Sequence, residues 1–173
     1  MATIDIEQFK HTPERRAEIT KGLTERQAFM VNHWMDLFDQ AFNVGDFVKM
    51  DEFFHPDMKY GNPNRLDIPT YASWKTSPMK LYETFPPSVY RVLEAYGRGD
   101  DKVVVFCNHQ GLQTGGPYMG VPPQGQHINV HWFSILTFKD DKIIHVYSIS
   151  DVLSMLIDIG VIDKDKQPVD PYK

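Results

Sequence analysis

The chain has 173 residues, which suits one domain, since domains run to roughly 100–200 residues. Apolar residues make up 42% and charged residues 24%, an ordinary globular composition that excludes wholesale disorder and collagen-like repeats. With 18 Lys and Arg against 23 Asp and Glu, the net charge is −5, which argues against nucleic acid or an anionic membrane as the main partner.

The single cysteine, Cys107, excludes an intrachain disulfide and a Cys-rich zinc motif. The opening residues Met1 to Glu7 lack a basic segment followed by an apolar one, so no signal peptide is expected. The longest apolar stretch, Val103 to Cys107, is far shorter than the roughly 18 residues of a membrane helix. A soluble, cytoplasmic protein is the expectation. Aromatic residues reach 13%, enough for an aromatic-lined cavity or for a plain aromatic core.

Residues 1–23 are polar and weakly periodic and read as an arm or short helix, open to docking on a partner subunit. Thr24 and Gln27 have the spacing of a capping box, and Met30, Trp34, Leu37, Phe38 and Ala41 follow at helical spacing. Gly45 suits the left-handed position that ends this helix. Asp46 is read as the cap of a second helix carrying Phe47, Met50, Phe53 and Phe54, broken at His55-Pro56-Asp57. Met58 to Asn62 reads as a short strand, and residues up to Pro69 as a loop. Thr70 caps a helical turn over Tyr71 and Trp74. Ser77-Pro78 opens a separate short helix through Phe85.

The period then changes from 3.6 to 2. Ser88–Tyr96, Lys102–Gly111, Ile128–Phe138 and Lys142–Ser150 are four strands, with turns at Gly97–Asp100 and Lys139–Asp141. Leu112 to Gly125, rich in Gly and Pro, is a long loop of the functional kind. Asp151 opens a last helix, Val152 to Ile159, closed by Gly160, and residues 161–173 form a charged tail. Helices followed by antiparallel strands make an α+β fold. The strands are apolar on both faces, so one face covers the helices and the other suits a homodimer interface.

Ala41-Phe42-Asn43-Val44-Gly45-Asp46, followed by Phe53-Phe54-His55-Pro56-Asp57, resembles the opening of SnoaL-like proteins. His109-Gln110-Gly111, Tyr118-Met119-Gly120-Val121-Pro122-Pro123-Gln124-Gly125, Phe138–Ile143 and Asp151–Gly160 continue the resemblance in order, over about residues 28–160. It implies a cone-shaped α+β barrel of the nuclear-transport-factor-like superfamily, a strongly curved, mainly antiparallel sheet wrapped over N-terminal helices. The domain would span residues 24–160. It implies a polyketide cyclase or a relative such as an epoxide hydrolase, ketosteroid isomerase, dehydratase or carbon–carbon lyase, working without metal or organic cofactor.

The same resemblance implies a three-residue loop at Lys139–Asp141, which sets Ser134 opposite Val146 and Trp132 opposite Ser148. A two-residue loop at Asp140-Asp141 would set Tyr147 opposite Ser134 instead. Under the family register, positions 132, 134 and 148 line the pocket. Cyclases place Gln, His and an acid–base Asp there, and epoxide hydrolases Arg and two Asp; this chain has Trp132, Ser134 and Ser148. A serine hydroxyl does not replace a carboxylate as proton acceptor at neutral pH.

Tyr60 and Asn62 resemble the water-holding pair of the epoxide hydrolases, although Asn62 before Pro63 also fits a turn. His109 is the best remaining base, or else a structural histidine bonded to a loop carbonyl. Trp34, Phe38 and Trp132 read as an aromatic wall or as core packing, and Tyr118 sits where a loop could close over a ligand. His131 and His145 belong to the outer face. No histidine and carboxylate spacing suggests a metal site. The expected activity is a cofactor-free lyase acting on a bulky hydroxylated aromatic molecule by dehydration or retro-aldol cleavage. A cyclase with relocated groups and a non-catalytic small-molecule-binding module are the alternatives. All three need a hollow apolar cup.

Overall fold

The computed structural model describes residues 4–163 and 165. Four α-helices, α1 (Pro13–Ile19), α2 (Glu25–Gln40), α3 (Tyr71–Thr84) and α4 (Val152–Asp158), pack with five strands. These are β1 (Phe54–Gly61), β2 (Val89–Arg98), β3 (Lys102–Gln113), β4 (Gln126–Lys139) and β5 (Lys142–Ser150). The sheet order is β1-β5-β4-β3-β2; β1 runs parallel to β5 and the other pairs are antiparallel. This is the expected cone-type α+β fold. The sheet stays open, however, with β1 and β2 as its two edges, so it is not a closed barrel.

Helix α2 forms as its sequence dictates. Thr24 accepts a hydrogen bond from the Gln27 amide while the Gln27 side chain accepts from the Thr24 amide. Its apolar stripe, Met30, Val31, Trp34, Met35, Leu37 and Phe38, is buried against the sheet. The chain then turns at Gly45, whose φ of 72° lies in the left-handed region.

The next two expectations fail. In place of a second helix there is a short 3-10 turn, Lys49–Glu52, and Phe54 already belongs to β1. His55-Pro56-Asp57 lies within β1. Pro56 is tolerated there because β1 is an edge strand whose pairing with β5 is interrupted between Phe54 and Lys59. Likewise Ser77-Pro78 does not start a helix. α3 runs unbroken from its Thr70 cap with Pro78 inside it. Trp74 and Pro78, one turn apart, are both buried, so packing holds the helix together across a missing backbone donor.

The polar arm docks on its own chain. His11 Nε2 accepts from the Val92 amide of β2, and Nδ1 donates to Asp39 Oδ1 of α2. Arg16 then joins Asp39 and Asp36. The charged tail falls largely outside the described residues, only 161–163 and 165 being described.

The β4–β5 hairpin corrects the expected register. Asp140 and Asp141 both take positive φ, 49° and 60°, and form a two-residue loop between paired Lys139 and Lys142. The ladder then shifts: Phe138 pairs with Ile143, but Thr137 pairs with His145, so Ile144 is an inserted bulge residue. Beyond it Ser134 lies opposite Ser148, not Val146, and Trp132 opposite Ser150, not Ser148. Trp132, Ser134 and Ser148 still share the inner face, because the bulge restores the parity that a two-residue loop alone would have reversed.

Candidate active site

The sheet's inner face meets α2 and α3 through interlocked rings. Phe38 lies 5.2 Å from Trp34, 5.6 Å from Tyr90 and 6.1 Å from Trp132 between ring centroids. Trp34 and Phe38 are fully buried, so the two are core before they are wall. These rings meet edge to face on the side where the cup is expected. A cleft of about 840 Å³ lies elsewhere, on the outside between α1 and β2.

Ser134 and Ser148 face inward, 1% and 5% exposed, and their hydroxyl oxygens are 2.7 Å apart. Each satisfies the other. Tyr60 is half-buried at the end of β1, beside the Trp74 ring at 5.7 Å. Asn62 donates from Nδ2 to the Tyr60 hydroxyl at 3.0 Å, and its Oδ1 accepts the Asn64 amide at 2.8 Å. Both readings of Asn62 therefore hold: it orients Tyr60 and it makes a turn. The Tyr60 proton is left free to donate, because Asn62 uses only the oxygen lone pairs.

His109 projects from β3 and is buried, with Nε2 2.7 Å from Ser88 Oγ. Burial pushes its pKa down to about 3, so the ring is neutral at physiological pH. Tyr90 lies directly opposite on β2, its ring parallel to the imidazole at 4.1 Å. Burial likewise pushes the Tyr90 phenol up. Tyr118, in the loop after β3, is half-buried against Phe85, 5.3 Å between centroids. The Arg65 guanidinium, paired with Asp67, is near enough to feel both Tyr118 and Tyr60.

Ser88, Tyr90 and Arg65 were not singled out from the sequence. The cross-strand pairing of Tyr90 with His109 is the signal that could have found the first two, and it required the β2–β3 register. His131 and His145 belong to the outer face, where His131 stacks on Phe106. Among the described residues no group of His, Cys, Asp and Glu is placed to hold a metal ion.

The arrangement offers a neutral imidazole, an oriented phenol and several hydroxyls, with no carboxylate among Tyr60, Asn62, Ser88, Tyr90, His109, Ser134 and Ser148. Residues 32–159 match the family model described as SnoaL-like polyketide cyclase. The chain belongs to the SnoaL-like polyketide cyclase family. Among solved structures it is similar to a SnoaL-like candidate cyclase of Jannaschia sp. CCS1, with 24% identity, 82% of this chain and 99% of that chain covered, and a TM-score of 0.70. It is also similar to AclR, a candidate hydroxylase of Streptomyces galilaeus, at 18% identity, coverage of 84% and 87%, and a TM-score of 0.71. IdmH, a candidate polyketide cyclase of Streptomyces antibioticus, is 25% identical with coverage of 76% and 98% and a TM-score of 0.66. No curated protein matches the chain. Family membership supports an activity of the polyketide cyclase type. Among the described residues no helix is long and apolar enough to cross a membrane.

Proposed function

We propose that this chain is a cofactor-independent acid–base lyase that dehydrates a bulky, hydroxylated aromatic ketone of the polyketide kind. The observation that carries the reading is the Tyr60 hydroxyl, held by Asn62 with its own proton free, on the same sheet face as the neutral imidazole of His109. Trp132 and Tyr118, both half-buried, border the bound substrate in this reading, backed by Trp34 and Phe38.

In the reaction His109 takes a carbon-bound proton beside the substrate carbonyl. The electron pair moves to the carbonyl oxygen, which accepts a hydrogen bond from Tyr60. An imidazole of such low pKa is a weak base, so the step depends on stabilising the enolate, where one well-placed donor contributes about 10²–10³ in rate. The imidazolium is in turn a strong acid. It returns the proton to the β-hydroxyl, which leaves as water while the carbon–carbon double bond forms. In retro-aldol cleavage His109 takes the β-hydroxyl proton instead; a new carbonyl forms there as the carbon–carbon bond breaks, and the electron pair passes to the original carbonyl oxygen, beside the Tyr60 donor, as an enolate. Aldol cyclisation shares the first step, the enolate attacking a second carbonyl.

The outer sheet face supports a homodimer. Phe133 and Ile149 are exposed there and Phe106 stacks on Phe133 at 4.5 Å.

The test is incubation with β-hydroxy aryl ketones, followed by mass spectrometry for loss of water. Tyr60→Phe and His109→Gln should each lower turnover at least about 10²-fold. Full turnover in both variants would overturn the reading. A ligand that raises the melting temperature but is recovered unchanged would make the chain a binding module.

A further inference from the structure

The register of β2 on β3 sets Tyr90 directly opposite His109. Ser88 precedes Tyr90 by two residues and therefore faces the same side. Its hydroxyl is fully buried and lies between two partners, 2.7 Å from His109 Nε2 and 3.3 Å from Tyr90 Oη.

Ser88 has one proton, and Tyr90 Oη is placed to accept it. With the proton there, the Ser88 oxygen offers only lone pairs to Nε2, and the 2.7 Å bond is made by an Nε2–H donor. A neutral imidazole carries one N–H, and the other nitrogen holds a bare lone pair. That nitrogen, Nδ1, has no hydrogen-bond partner among the described residues. The parallel Tyr90 ring, 4.1 Å away, keeps the imidazole from tilting out of its plane.

We propose that Ser88 and Tyr90 are positioning residues that fix His109 as the Nε2–H tautomer, so that Nδ1 is the nitrogen presented to substrate. This rests on His109 being the base of the proposed reaction, and it adds which atom takes the proton. A single tautomer matters because an imidazole presenting N–H to a carbon acid is no base at all.

The test is nitrogen-15 NMR of the full chain with labelled histidine at pH 7, without substrate. The expected His109 pattern is a protonated Nε2 and an unprotonated Nδ1. Ser88→Ala should lose that single pattern, and Ser88→Thr should keep it. Tyr90→Phe keeps the stacked ring but frees the Ser88 proton to turn to Nε2. It should therefore move the N–H to Nδ1, a readout that stands even if Ser88→Ala fails to fold. A protonated Nδ1 in the wild type, or an unchanged pattern in Tyr90→Phe, overturns the proposal. Because no substrate is present, these results are separate from the turnover of Tyr60→Phe and His109→Gln, on which the lyase reading stands or falls.

Discussion

Ser134 and Ser148 face each other across the β4–β5 ladder with their hydroxyl oxygens 2.7 Å apart, buried beneath the aromatic layer. Two hydroxyls paired in an apolar interior form a closed unit, and removing one leaves the other without its partner. Ser134→Ala and Ser148→Ala should each cost about 1–3 kcal/mol. The double substitution should cost less than the sum of the two, by about 0.5–1.5 kcal/mol. Urea unfolding of the four proteins checks this, and strict additivity would show that the pair is not coupled.

The buried imidazole of His109 makes stability depend on pH with a definite sign. In the unfolded chain it binds a proton below pH 6.5, whereas in the fold it does so only near pH 3. The contribution is therefore complete above pH 6.5 and declines as pH falls toward 3, by up to about 1.4 kcal/mol per pH unit. His33, half-buried and also shifted downward by burial, acts in the same direction. His109→Gln should flatten the decline between pH 6.5 and pH 4 without removing it. Denaturation midpoints across that range provide the measurement.

The arm should be detachable by one substitution. Asp39 accepts from His11 at 2.9 Å and from Arg16 at 2.7 Å, joining residues before Gly22 to α2. Asp39→Ala leaves His11 Nδ1 without its acceptor and Arg16 with Asp36 as its remaining carboxylate, and should cost about 1–3 kcal/mol. It should also expose the chain around Lys21 to trypsin before the domain unfolds. Unchanged cleavage kinetics would show that the arm is held by other contacts, such as Arg91 over the Phe9 ring.

Oligomerisation should respond to the outer face alone. Phe133, 48% exposed, and Ile149, 55% exposed, lie opposite each other on β4 and β5. Phe133→Lys or Ile149→Lys would place a charge in the proposed interface and should yield monomers by light scattering, with the melting curve of the monomer little changed. A wild type that is monomeric at all concentrations would remove the dimer from the proposal.

Asn62 should matter to activity more than to stability. Asn62→Asp keeps the turn acceptor but replaces the donor to Tyr60 with a second acceptor. Turnover should fall about 10-fold or more, with a smaller change in KM, because an ill-oriented phenol loses transition-state contacts rather than ground-state binding. Equal losses in kcat and substrate affinity would instead assign Asn62 to binding.

The local features were legible from the chain. The Thr24–Gln27 capping box, the apolar stripe of α2, the four antiparallel strands and the Tyr60–Asn62 pair all depend on neighbours within a few residues. Periodicity of 3.6 or 2 encodes such neighbours directly. The SnoaL-like motifs supplied the fold family, and the strand order came from the structure.

What tertiary structure alone decided was every relationship between distant segments. Whether Pro78 breaks α3 depends on the packing of Trp74 and Pro78 in the core, which propensity does not contain. Whether Ser148 meets Ser134 or Val146 depends on one bulge residue, Ile144, whose insertion is set by the fit between β4 and β5. That His109 lies on Tyr90 and touches Ser88 follows from a register between β2 and β3, and a single slip would have turned all three to other faces. The same is true of the aromatic rings that meet inside the cone. Composition shows that they are present, but only close packing in three dimensions determines whether they leave a cup or fill it.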